Sequence, residues 1–144
     1  MTPLLIVAVL ASSAAAAAAE APSWLTVVGD PANAFVDTLE VDATSAIAFE
    51  SMRLVKLRVN RARPRTGFDD QPYHSYYSTA VVDCTGLKAW HRSIALFSKP
   101  LWHGKMRLVE YAESDGRNLA FAEMEPNPRD RLIKAACAIA LQSP

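Results

Sequence analysis

"YYSTAVVDCTGLKAW", Tyr76–Trp90, is the stretch on which the reading of this chain turns. Alternate residues Tyr76, Ala80, Val82 and Cys84 fall on one side of an extended strand, and Tyr73, Tyr77, Thr79 and Val81 fall on the other. Thr85-Gly86 supplies a turn, and Leu87–Phe97 resumes the β-rich pattern. The stretch therefore reads as the middle of a β-hairpin, which points to an antiparallel sheet. It also poses a chemical question. Cys84 is a reactive thiol, a metal ligand or half of a disulfide, and the chain has one other cysteine, Cys137.

The N-terminus bears on that question. From Pro3 to Ala19 there is no charged side chain, and only Leu4–Leu10 is strongly apolar; the rest is alanine and serine. A spanning helix needs ~20 strongly apolar residues. A short apolar core followed by small residues suits a cleaved export leader instead. The expected cut follows Ala19, which makes residues 1–19 a signal peptide and residues 20–144 a single domain of ordinary size. The positive region of this leader is reduced to the α-amino group, and an uncleaved anchor is the competing reading. No cysteine stands at the cut to carry a lipid, so the mature chain is expected to have no stable membrane span and to be periplasmic, at the cell surface or secreted.

Lysine and arginine number 15, as do aspartate and glutamate, and all of them follow the leader. A balanced chain exerts no long-range pull on nucleic acid. The one basic cluster, Arg58, Arg61, Arg63 and Arg65, contains no aromatic residue for stacking on bases. It reads as a solvated loop or as a patch for an acidic protein partner.

In an oxidising compartment two cysteines usually pair, and here only Cys84–Cys137 is available within the chain. Closing so long a loop stabilises by about 4 kcal/mol in the chain-entropy description, against the ~5–15 kcal/mol of a whole domain. A nucleophilic cysteine wants a base and an electropositive site, whereas Cys84 follows the apolar "AVVD". Neither cysteine has the close partner of a zinc site. His74, His91 and His103 sit on separate segments, so no metal or cofactor is expected.

Elsewhere, Trp24–Val28 reads as a short strand stopped by Gly29-Asp30-Pro31, with Phe35 and Val36 in a second strand. In the long run ending at Asn60, Val55, Leu57 and Val59 share one face and Lys56, Arg58 and Asn60 the other, with a phase slip at Leu54-Val55 that suits a bulge. "RARPRTGFDDQP", with two prolines and a glycine, reads as a loop. Lys105–Ala112 reads as a strand, and Leu119–Met124 as a last short one. In the tail, Leu132, Ile133, Ala136, Cys137, Ala140 and Leu141 recur at helical spacing, with Asn127 suited to the N-cap, Pro128 to the first helical position and Asp130 to the first turn. The fold class is α+β: an antiparallel sheet of about six strands, a C-terminal helix packed on one face, and one disulfide.

Trp24, the Phe35-Val36-Asp37 run, Tyr76 and Ser78, the Val82-Asp83-Cys84 motif, Pro128 and Cys137 together resemble the surface-adhesin protein E-like family of small exported Gram-negative bacterial proteins. The resemblance implies the same sheet and helix, a disulfide between the two matching cysteines, and allows for a homodimer. It also implies a non-enzymatic binding module, since a member of the family is an outer-membrane adhesin for host matrix and plasma proteins such as vitronectin and laminin. The alternative is a soluble periplasmic structural or envelope-maintenance protein that binds another envelope protein, with Trp102 and Phe68 as loop anchors. A hydrolase built on His74, His91, Asp83 and Ser78 lacks a nucleophile elbow, paired carboxylates and metal spacing, so no catalytic residue is expected.

Overall fold

Val55, Leu57 and Val59 lie opposite Ala80, Ser78 and Tyr76 on the next strand, so one face of the chain's longest hairpin is continuously buried. A computed structural model describes residues 20–112 and 116–143. The expected leader, residues 1–19, lies outside the described residues. The strands are β1 (Trp24–Val28), β2 (Thr38–Asp42), β3 (Ile47–Phe49), β4 (Met52–Thr66), β5 (Pro72–Asp83), β6 (Lys88–Phe97), β7 (Met106–Glu110) and β8 (Arg117–Asn118). A 3₁₀ turn covers Pro100–Trp102, and α1 covers Arg129–Ala138. All strand pairs are antiparallel, in the order β1-β2-β4-β5-β6-β7, with β3 extending the β4 side and β8 pairing β6.

The core lies on one side of this sheet. Leu39, Val41, Val55, Leu57, Val59, Ala80, Val82 and Ala89 share one buried cluster with Leu132, Ile133 and Ala136 of α1. Apolar burial at about 25 cal/mol per Å² supplies most of the stabilisation of such a layer pair. Cys84 continues the Ala80–Val82 face and is bonded to Cys137 on α1, with Cα atoms 5.8 Å apart and 53 residues between them in sequence. The expected disulfide and the expected side of the sheet are both observed. Arg53 adds a polar clamp: its Nη1 donates to the carbonyls of Ala136 and Ile139, the orphan acceptors at the end of α1.

Several local expectations are corrected. The bulge lies between Asn60 and Arg65, where four β4 residues oppose His74 alone, and the β4–β5 register through Leu54 and Val55 is unbroken. Arg61–Thr66 is consequently strand rather than loop. Pro64 sits within the bulge, where its missing N–H costs no ladder hydrogen bond. The bulge also turns Tyr73 to the core side, against Tyr76 with ring centroids 5.7 Å apart. Phe35 and Val36 belong to a turn, held by Asn33 Oδ1 accepting from Phe35 N, and Phe35 is 84% exposed. Leu119–Met124 is irregular: Phe121 and Glu123 have φ of 45° and 65°, which breaks the pleat while Leu119, Phe121 and Met124 still reach the core. Strand β7 is shorter than expected at both ends. Helix α1 begins one residue late, with Pro128 at its N-cap and Asn127 Oδ1 accepting from Arg129 N. Ala140 and Leu141 follow its end.

Replacing both cysteines by serine is expected to lower unfolding stability by about 4 kcal/mol, from the loop that the disulfide closes. Urea unfolding of the variant against the oxidised protein reads this as a drop in midpoint.

Candidate functional site: the open face of the sheet

The helix covers one face of the sheet, which leaves the other for chemistry. Arg58 and Tyr77 are directly opposite each other on β4 and β5, and Glu40 of β2 is opposite Arg58 on its other side. All three point away from the core. Glu40 is only 2% exposed, and its carboxylate accepts a hydrogen bond from Arg58 Nε. The Arg58 guanidinium lies between two indoles, 4.3 Å from the ring centre of Trp24 and 4.1 Å from that of Trp102. Each face of the cation is thus met by a π-system. Tyr77 completes the cluster, with its ring 5.9 Å from Trp24, 5.9 Å from Trp102 and 5.6 Å from Phe97.

Trp102 reaches this position through an unusual backbone. Leu101 and Trp102 have φ of 53° and 61°, a region that bulky residues rarely occupy. The turn is held from below: Leu101 N donates to Asn60 Oδ1, Trp102 N donates to Ser75 Oγ, and Ser75 Oγ donates to the Lys99 carbonyl. The indole Nε1 in turn donates to the carbonyls of Val59 and Tyr76. Asn60 and Ser75 are fully buried, and five hydrogen bonds in all hold one strained turn.

Beside this cluster lies an uncovered apolar strip on β7. Met106 and Leu108 of β7 are 58% and 59% exposed, and they lie opposite Phe97 and Ala95. A shallow groove of about 470 Å³ runs between Trp24, Lys56, Tyr77, Ala95 and Leu108. Among the described residues β7 has no partner on its outer edge. An aromatic and aliphatic centre, with its charge already paired, is the composition of a protein-recognition patch.

The four arginines of the basic cluster do not share one surface. Arg58 is in the stack just described. Arg61 is 5% exposed and points inward, donating to Asp37 Oδ1 and to the Ala122 carbonyl, each at 3.0 Å. Arg65 pairs with Glu123. Arg63 is exposed and has no ion pair among the described residues.

The hydrolase candidates come together only in part. Ser78 Oγ and His91 Nδ1 share a hydrogen bond of 2.6 Å, but each residue is 4% exposed and both face the core. Asp83 instead caps the hairpin turn, accepting from Thr85 N and Gly86 N. His74 Nε2 is buried with no partner. No cluster of three metal-ligating side chains occurs among the described residues. Burial depresses the His91 pKa to about 3, so the ring is neutral under ordinary conditions.

The family model described as surface-adhesin protein E matches residues 24–138, which is most of the chain. The chain belongs to the surface-adhesin protein E family. The matched span starts at Trp24 of the open-face stack and ends at the last residue of α1. Membership supports a surface adhesin that binds protein and is exported or at the cell surface. No match is found among curated proteins or solved structures. No helix among the described residues is long and apolar enough to cross a membrane.

The sequence reading missed the Trp24–Arg58–Trp102 stack. Its signal was indirect, since Arg58 was assigned to the polar face of β4 while the two tryptophans lay in distant segments. Met106 and Leu108 carry a local signal, as alternate apolar residues along β7.

Removing Arg58 leaves a buried carboxylate unpaired. Arg58→Ala is expected to cost about 3–5 kcal/mol, whereas replacing Glu40 and Arg58 together by glutamine and methionine costs far less. Chemical denaturation of the single and double variants measures the difference. For His91, the unfolded chain takes up a proton below its ordinary pKa of 6.5 and the folded chain does not until about 3. This contribution to stability is therefore complete above about pH 6.5 and is lost as the pH falls toward about 3. NMR of the His91 ring is expected to show no titration between about pH 8 and pH 5; a midpoint near the ordinary value contradicts the assignment.

Proposed function

We propose that this chain is an exported, non-enzymatic adhesin module that engages a protein partner through the open face of its sheet. The observation that carries the reading is the uncovered patch of Met106 and Leu108 beside an aromatic cluster whose cation is already paired. A patch of this kind gains from burying apolar area without stranding a charge. By analogy with the family, the partner class is a host matrix or plasma protein, with vitronectin and laminin as first probes.

In this reading the arginine cluster contributes unequally. Arg63 is the member free to meet an acidic partner, and it acts mainly on the association rate and on salt dependence. Arg58, Arg61 and Arg65 act by holding the stack, the bulge and the Glu123 segment in place. Buried Ser78 and His91, with no carboxylate on the imidazole, support the absence of catalysis.

The test is surface-immobilised vitronectin or laminin against the mature chain. Leu108→Asp places a charge at the centre of the patch and is expected to weaken binding at least ~10-fold. Arg63→Glu is expected to weaken it less, and more at low salt than at high salt. Unchanged binding by Leu108→Asp sinks the open-face assignment. If homodimerisation uses this face, the same variant is monomeric in sedimentation. Protease shaving of intact cells, with immunodetection of the chain, separates the surface adhesin from the periplasmic alternative.

A further inference from the structure

The core side of the sheet is not filled completely. Helix α1 has ten residues and therefore spans about 15 Å, and it lies over β1, β2 and β5. The other end of that face is roofed by the loop around Phe68 and by the irregular segment Asn118–Ala122, and a cavity of about 250 Å³ remains between roof and sheet. Five rings form its walls: Phe68, Tyr73, Tyr76, Tyr111 and Phe121. Ile94, Leu96 and Val109 form its floor. Phe68 is 61% exposed and Ala120 is also exposed, so the cavity meets solvent between them.

Its polar groups are of one kind. The charged side chains at its border are already paired, Arg61 with Asp37 and Asp69 with Arg107. The Arg107 hydrogen bonds hold the Asp69 carboxyl below its ordinary range, which keeps that pair ionised and mutually satisfied. Burial raises the Tyr73 and Tyr76 phenols, so they remain uncharged. The His91 ring borders the cavity; its Nδ1 is taken by Ser78, which leaves Nε2 for a ligand. Asn118 offers an amide at the same border.

The geometry points to a binding site for an uncharged aromatic molecule of one or two rings, held by the five ring walls and oriented by neutral hydrogen-bonding groups. Size supports this class: an apolar cavity of about 150 Å³ accepts benzene, and this one is larger by about one further ring. Electrostatics supports it too. A charged ligand finds no unpaired counter-charge among the lining residues and loses its hydration on entry; Arg117, which does not line the cavity, lies over the Phe68 ring at 5.3 Å. Mostly apolar walls with a few polar groups are the usual make-up of small-molecule sites. The site lies on the side of the sheet opposite the adhesive patch, so the inference does not depend on the proposed function.

The test uses indole as the probe and indole-3-acetate as its charged counterpart, with the isotope-labelled mature chain followed by NMR. Indole is expected to shift amides of residues 94–96, 109–111 and 118–122 in a saturable way. Indole-3-acetate is expected to bind at least ~10-fold more weakly. Ala120→Trp plugs the mouth from an exposed position, which leaves the core untouched, and is expected to weaken indole binding at least ~10-fold. His91→Phe keeps the volume and removes Nε2; it is expected to weaken indole but not benzene. The proposal is overturned if millimolar indole shifts no cavity amide, if the shifts map elsewhere, if Ala120→Trp binds indole like the parent, or if the charged probe binds equally well.

Discussion

The bond between Cys84 and Cys137 is the constraint on which the rest of the molecule depends. A ten-residue helix is too short to be stable alone. Its apolar stripe offers only Leu132, Ile133 and Ala136 as fully buried contacts. The disulfide ties that stripe to the end of β5, and Arg53 secures the same C-terminal turn by donating to the carbonyls of Ala136 and Ile139. Together they turn a weak helix into a lid over one face of the sheet. The core, the cavity and the division of the molecule into a closed and an open side all follow from where that lid sits.

The two faces then solve different problems. The closed face buries aliphatic residues and keeps its polar members neutral, with His91 unprotonated against Ser78. The open face carries a charge in the middle of the sheet and neutralises it locally. Glu40 pairs Arg58, and two indoles screen the pair from solvent. Trp102 can serve there only because a left-handed turn is held by Asn60 and Ser75, two buried polar residues on adjacent strands. A single hydrogen-bonded network therefore links the bulge region of β4 to the aromatic surface. The apolar strip on β7 continues that surface to an unpaired edge, which is how a small sheet can present area to a partner without opening its core.

Much of this was legible in the sequence because it rests on local rules. The alternation around Ala80 and Val82 set the face of β5. The spacing of Leu132, Ile133 and Ala136 set the buried stripe of α1, and the two cysteines fell on facing surfaces. What failed did so where tertiary contacts override local signals. Pro64 argued for a loop, yet a wide bulge accommodates it inside β4. Phe35 and Val36 looked like strand, yet Asx turns at Asp30 and Asn33 capture that segment. Leu119–Met124 had a strand's composition, yet its side chains fill the core from an irregular backbone. The arginine cluster looked like one patch, yet alternation sends Arg58 to the open face and Arg61 inward, and Arg65, beyond the bulge, pairs with Glu123. The stack on Arg58 joins residues from three remote segments, and no local pattern records such a meeting.

Amide hydrogen exchange of residues 20–144, oxidised and then reduced, tests the central claim most directly. On reduction the amides of α1 are expected to lose protection first and by the larger factor, while those of β4 and β5 lose no more than the fall in global stability accounts for. The claim that the disulfide holds the lid on an otherwise self-sufficient sheet is contradicted if α1 stays as protected as before, or if helix and sheet lose protection together.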